Sequence, residues 1–163
     1  MRRGRGLTIQ PLKAEGNEPF GRGRLRLRGD LRVEGVERLG PERVLFGTDA
    51  PGSDLYHNLG NGHFEEVGSL EGIAYDRNGK STSAMGIDAA RYRNDAEVGL
   101  AIGNFANEMA SLFVTTAGRP PFVDEAVLEG LGPASRIPLT FGLMFFDYDL
   151  DGRLDLLEIN GHI

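Results

Sequence analysis

Two stretches of the chain decide the reading of its fold: Met85–Asn107, "MGIDAARYRNDAEVGLAIGNFAN", and Phe141–Ile163, "FGLMFFDYDLDGRLDLLEINGHI". They align at a constant offset of 56 residues with no gap. Gly86/Gly142, Tyr92/Tyr148, Asp95/Asp151, Leu100/Leu156 and Asn104/Asn160 coincide, and apolar positions match around them. One period earlier, Val44-Leu45-Phe46-Gly47 falls over Leu100-Ala101-Ile102-Gly103. A second block repeats as well: "LYHNLGNGHFEEVGSLEG" (Leu55–Gly72) resembles "LFVTTAGRPPFVDEAVLEG" (Leu112–Gly130), with a short insertion before Phe122. Self-similarity at a fixed period is the mark of stacked units, each too small to bury its apolar face alone.

Each unit contains four short segments. An apolar stretch (Met85–Ile87; Phe141–Phe146) leads through a polar turn into a second one (Val98–Ile102; Leu154–Ile159). An "LY/LF" segment (Leu55–His57; Leu112–Thr115) then runs through a Gly-rich turn into "F-x-E/D" (Phe64–Val67; Phe122–Asp124). Short apolar runs bounded by Gly, Asn and Asp are strands joined by hairpins. The expected fold is therefore all-β: a partial β-propeller of about two to three four-stranded antiparallel blades, with an irregular Arg/Gly-rich N-terminal segment. Gly68–Gly79 and Ala126–Pro138 are expected to be connecting loops, with a short helical turn over Ala126–Gly130. Closed propellers need at least four blades. A chain of 163 residues at this period therefore reads as an incomplete domain with unpaired blade edges.

Composition agrees. Glycine numbers 24 of 163 residues, about twice its usual share of roughly 7 %, as frequent hairpins require. No Cys is present, which excludes a disulfide scaffold, thiol catalysis and Cys-ligated zinc. No apolar run reaches membrane-spanning length. Charge is split: residues 1–44 carry a net +5 and the remainder −11. The domain division expected is thus an unassigned Arg/Gly-rich segment, 1–43, and repeats over 44–163. "RRGRG" and "GRGRLRLRG" could contact phosphates, but Phe20 is the one aromatic near them and the acidic remainder would repel nucleic acid. The start also lacks the apolar stretch of a secretory signal.

The chemistry lies in Asp147-Tyr148-Asp149-Leu150-Asp151-Gly152-Arg153-Leu154-Asp155, a D-x-D-x-D-G-x-x-D loop. Alternation turns three carboxylates into one concave bend, Gly152 makes the bend, Arg153 offers its backbone carbonyl and Asp155 closes the ring. Hard oxygen ligands of this number suit Ca²⁺. Glu158 also falls at the twelfth position of an EF-hand, but Pro138 upstream and Asn160-Gly161 downstream oppose the two helices that motif needs. One period earlier the loop is degraded: Arg91, Arg93, Asp95, Ala96 and Gly99 replace Asp147, Asp149, Asp151, Gly152 and Asp155. A guanidinium near Asp88 or Asp95 is expected to take the ion's structural place. The first copy, Gly35–Arg43, keeps nothing of the loop.

"LYHNLGNGHFEEVG", "GIAYDRNGKSTSAMGID", "IGNFANE" and "FGLMFFDYDLDGRLDLLEINGHI" together resemble FG-GAP/VCBS-type repeat proteins. They are most similar to the subgroup of cartilage acidic protein and its bacterial relatives that carry an ASPIC/UnbV domain. The resemblance spans about residues 44–163 and implies a propeller of about seven blades. It also implies calcium in the D-x-D-x-D-G loops and a secreted, periplasmic or cell-surface location. Its calcium ligands carry over to Asp147, Asp149, Asp151, the Arg153 carbonyl and Asp155. Residues 1–43 and an ASPIC/UnbV region find no counterpart.

Other chemistry reads weakly. Ala74–Ser81 fits a relaxed phosphate-binding loop, but Asp76 and Arg77 occupy its turn and no βαβ pattern surrounds it. His57 and His63 flank a hairpin turn and His162 lies near the end, with no third ligand evident beside either. Ser83 has no His/Asp partners in recognisable context, and the adjacent Glu65 and Glu66 face opposite ways in a strand. The expectation is a non-enzymatic calcium-binding scaffold whose partners are other blades or a protein or glycan ligand. The alternatives are the propeller scaffold of a polysaccharide-acting enzyme and an EF-hand or dockerin module.

Overall fold

A computed structural model describes residues 7–8, 33–38, 43–48, 53–60 and 63–161. It is an all-β, antiparallel structure. The first sheet has the order β1-β5-β4-β3-β2, built from β1 (Leu7–Thr8), β2 (Val33–Arg38), β3 (Arg43–Thr48), β4 (Asp54–Gly60) and β5 (His63–Glu66). The second is a four-stranded meander of β6 (Ala84–Ala90), β7 (Gly99–Asn104), β8 (Ser111–Thr116) and β9 (Arg119–Asp124). A hairpin of β10 (Leu139–Phe146) and β11 (Asp155–Gly161) forms the third. Short helices follow the outer strands: α1 (Gly68–Glu71) after β5, and α2 (Leu131–Ser135) after β9. The helical turn expected over Ala126–Gly130 is a run of turns, and the helix begins just beyond it.

The 56-residue repeat is a repeat of backbone register. In the second sheet Ala84 pairs with Asn104 and Gly86 with Gly103, leaving Met85 bulged. In the third, Thr140 pairs with Asn160 and Gly142 with Ile159, leaving Phe141 bulged. The first does the same, with Val33 opposite Thr48, Gly35 opposite Gly47, and Glu34 bulged. A bulge inverts the face on which following side chains lie. Ala84 therefore shares a face with Ile87 and Ala89, all three packed into one core cluster. The outer strands repeat too: Val67 N–H donates to Leu55 O (2.7 Å) as Glu125 N–H donates to Leu112 O (2.8 Å).

This register corrects one expectation. Gly35–Arg38 is strand β2, not the first copy of the polar loop, so four residues separate β2 from β3 where 91–98 and 147–154 supply eight. Strands β1 and β2 come from the Arg/Gly-rich segment 1–43 and pair with β5 and β3. Its last residue, Arg43, opens β3, and the rest of that segment lies outside the described residues.

The sheets stack face to face. Side chains alternate along β7 and β8, so Leu100, Ile102 and Phe113 meet Leu55 and Ile73 on the side of the first sheet. Ala101, Leu112 and Val114 lie on the other side, with Leu143, Phe145 and Leu156 of the third sheet. The innermost strands β2, β6 and β10 follow one another, β6 lying against both of the others. Gly103 permits the closest approach: a Cβ there would lie 2.6 Å from Thr140 Cγ2 and 2.8 Å from its carbonyl oxygen.

Candidate metal centre

The acidic loop is the β10–β11 connection. Strands flank it on both sides, so its frame is a hairpin and not the helix–loop–helix of an EF-hand. Leu150 (φ 62°) and Gly152 (φ 86°) adopt left-handed backbone, which curls the chain back on itself. Backbone donors turn the carboxylates into the curl. Asp147 accepts from Asp151 N–H (3.0 Å) and Gly152 N–H (2.8 Å), and Asp151 from Arg153 N–H (2.8 Å). Carboxylate oxygens of Asp147, Asp149 and Asp151 lie within 4.8 Å of one another, a cluster that could hold a metal ion. Asp155 stands at the base of the hairpin opposite Phe146, its Oδ2 3.4 Å from Tyr148 N. The three-carboxylate cluster thus comprises three of the five expected ligand residues, without Asp155 or Arg153.

The preceding loop, 91–98, keeps the shape and changes the chemistry. Asn94 has φ 58°, matching its repeat partner Leu150. Arg93 occupies the place of Asp149 and gathers carboxylates: Glu97 (3.1 Å), Glu125 (2.6 Å) and Glu129. Its guanidinium also lies 5.1 Å from the centre of the Tyr92 ring, which stacks on Phe145 of the third sheet. Hydrogen bonding to Glu125 holds the Arg93 pKa above its ordinary value, and burial pushes the Tyr92 phenol up to about 12. The guanidinium expected near Asp88 or Asp95 instead pairs with these three glutamates. Both aspartates accept from backbone N–H groups. Asp88 accepts from Phe145 N–H (2.6 Å) and Ala89 N–H (2.9 Å), and Asp95 from Glu97 N–H (2.8 Å).

Sequence reasoning missed Asn94. Its side chain donates to Gly152 O at 2.8 Å, joining the degraded loop to the acidic one. The repeat showed that the two loops are equivalent, but their adjacency follows from stacking alone.

The remaining candidates resolve simply. The Asp76 carboxylate accepts from Asn78 N–H (2.9 Å) and Lys80 N–H (2.8 Å), so it fills the backbone nest that a phosphate would need. His57 stands opposite Glu65 in the β4–β5 ladder and His63 opposite Gly60, while His162 lies outside the described residues. Glu65 is exposed and Glu66 half-buried, consistent with opposite faces. Among the described residues no helix is long and apolar enough to cross a membrane.

Comparison with known proteins returned no match: no family model, no curated protein and no solved structure is significantly similar to the chain.

Proposed function

We propose that this chain is a set of β-propeller blades of the FG-GAP/VCBS type, a calcium-binding and non-enzymatic scaffold in a secreted or envelope-exposed protein. The observation that carries the reading is the bulged two-strand register, repeated in three successive sheets stacked face to face. In the third sheet the hairpin turn presents three carboxylates in alternation. Asp147, Asp149 and Asp151 would hold the ion, with the Arg153 carbonyl and Asp155 completing its oxygen shell. The ion would supply positive charge where three carboxylates otherwise repel, fixing the hairpin that caps the second core. In the preceding loop Arg93 supplies that charge covalently. The scaffold would present its loops to other blades or to a protein or glycan ligand.

Thermal unfolding with calcium and with chelator tests this reading. Calcium should raise the midpoint of the wild-type chain, and Asp149→Ala should lose that gain while matching wild type in chelator. Equal losses in both conditions would show that the loop acts without a metal.

A further inference from the structure

The acidic loop is held from outside at a single peptide. Gly152 has left-handed backbone (φ 86°) and, among the described residues, open space where a side chain would stand. Packing therefore leaves the peptide between Gly152 and Arg153 free to turn. Two hydrogen bonds fix it instead. Its carbonyl, Gly152 O, accepts from Asn94 Nδ2 at 2.8 Å, and its N–H, on Arg153, donates to Asp151 Oδ1 at 2.8 Å. A peptide is planar, so the donor that holds the carbonyl also aims the N–H. Asn94 thus directs this N–H at the Asp151 carboxylate and keeps the Gly152 carbonyl turned to the second sheet. Gly152 N–H donates to Asp147 Oδ2 at 2.8 Å. Two of the three clustered carboxylates therefore take donors from the two sides of this one glycine.

Asn94 is itself anchored in the second sheet's loop. Its backbone is left-handed (φ 58°), a conformation that asparagine accepts more readily than most residues. The adjoining Arg93 is tied to Glu97, Glu125 and Glu129, and Tyr92 stacks on Phe145 with ring centres 5.5 Å apart. We propose that Asn94 is a positioning residue for the calcium loop, so that calcium affinity depends on the docking of the second sheet against the third. This role rests on the calcium reading above and adds to it a residue that supplies no ligand atom. Holding the carboxylates before the ion arrives cuts the ordering cost of binding, as partners that orient metal ligands do elsewhere. Such coupling is reciprocal. Calcium in the acidic loop should in turn make loop 91–98 firmer, although that loop carries no ligand.

Calorimetry and amide hydrogen exchange of the full chain are the test. Asn94→Gly keeps the left-handed backbone and removes the amide. Asn107→Gly is the matched control, because Asn107 is also left-handed (φ 70°) and exposed but lies beyond the other end of β7. Asn94→Gly should bind calcium about five- to tenfold more weakly than wild type, the worth of one hydrogen bond. Asn107→Gly should bind as wild type does, with both variants keeping the β spectrum in circular dichroism. In wild type, calcium should slow exchange across residues 91–98, and Asn94→Gly should lose that protection. The wild-type exchange comparison needs no variant. Wild type that takes up no calcium overturns this proposal together with the calcium reading. Three results overturn the positioning role alone: equal affinity in Asn94→Gly and wild type, an equal loss in both glycine variants, or wild-type exchange over 91–98 that is indifferent to calcium.

Discussion

Arg93 places a fixed positive charge in the loop between β6 and β7. It stands where the later loop has Asp149, yet it draws three glutamates from two different segments, Glu97 in its own loop and Glu125 and Glu129 after β9. These side chains are about a quarter to two-fifths exposed, so solvent weakens each pair. Arg93→Met should cost about 1 kcal/mol in urea unfolding, with the gap to wild type narrowing in high salt. Arg93→Lys should recover only part, because an ammonium cannot fork between carboxylates as a guanidinium does. Glu158 presents the opposite case. Its Oε1 is buried with no hydrogen-bond partner among the described residues, and burial raises its carboxyl pKa. A raised pKa means that the folded chain holds the proton more tightly than the unfolded one. The stability it confers is complete below the unfolded pKa and is lost as pH rises through the folded value. Glu158→Gln should therefore raise the thermal midpoint at pH 8 and leave it unchanged near pH 4.

Among the elements, the hairpins carry the repeat and their contacts set its tolerance. Gly103 faces Thr140 so closely that Gly103→Val must push the second and third sheets apart. A cost of about 2–3 kcal/mol is expected in urea unfolding, in the range of core overpacking. The strands were legible because apolar runs between Gly, Asn and Asp turns recur at a fixed offset, which placed β6 to β11 and the acidic hairpin. Strand β2 was not: "VEGVER" alternates charge with small or apolar residues, and carrying the later loop length backward by 56 residues put a turn where the chain continues as strand. Helix α1 was equally silent, being four residues long with no side-chain cap at its start. At the candidate metal centre, the spacing of alternating aspartates identified the cluster. The carboxylates chosen by Arg93 and the Asn94–Gly152 bond depend on which loops stack together, information that no local motif carries.

At the scale of the whole molecule, one repeated hairpin unit occurs in two chemical versions. Two cores lie between three successive sheets, and the inner strands follow one another from β2 through β6 to β10. The hairpin turn of the second sheet is closed by the Arg93 guanidinium, and that of the third gathers three carboxylates. The central claim is that this third turn binds calcium. Isothermal calorimetry of the full chain measures it most directly, comparing wild type, Asp147→Asn/Asp149→Asn/Asp151→Asn and Asp95→Ala. One calcium per chain is expected in wild type and in Asp95→Ala, and none in the triple variant. Absence of binding in wild type, or binding undiminished in the triple variant, would contradict it.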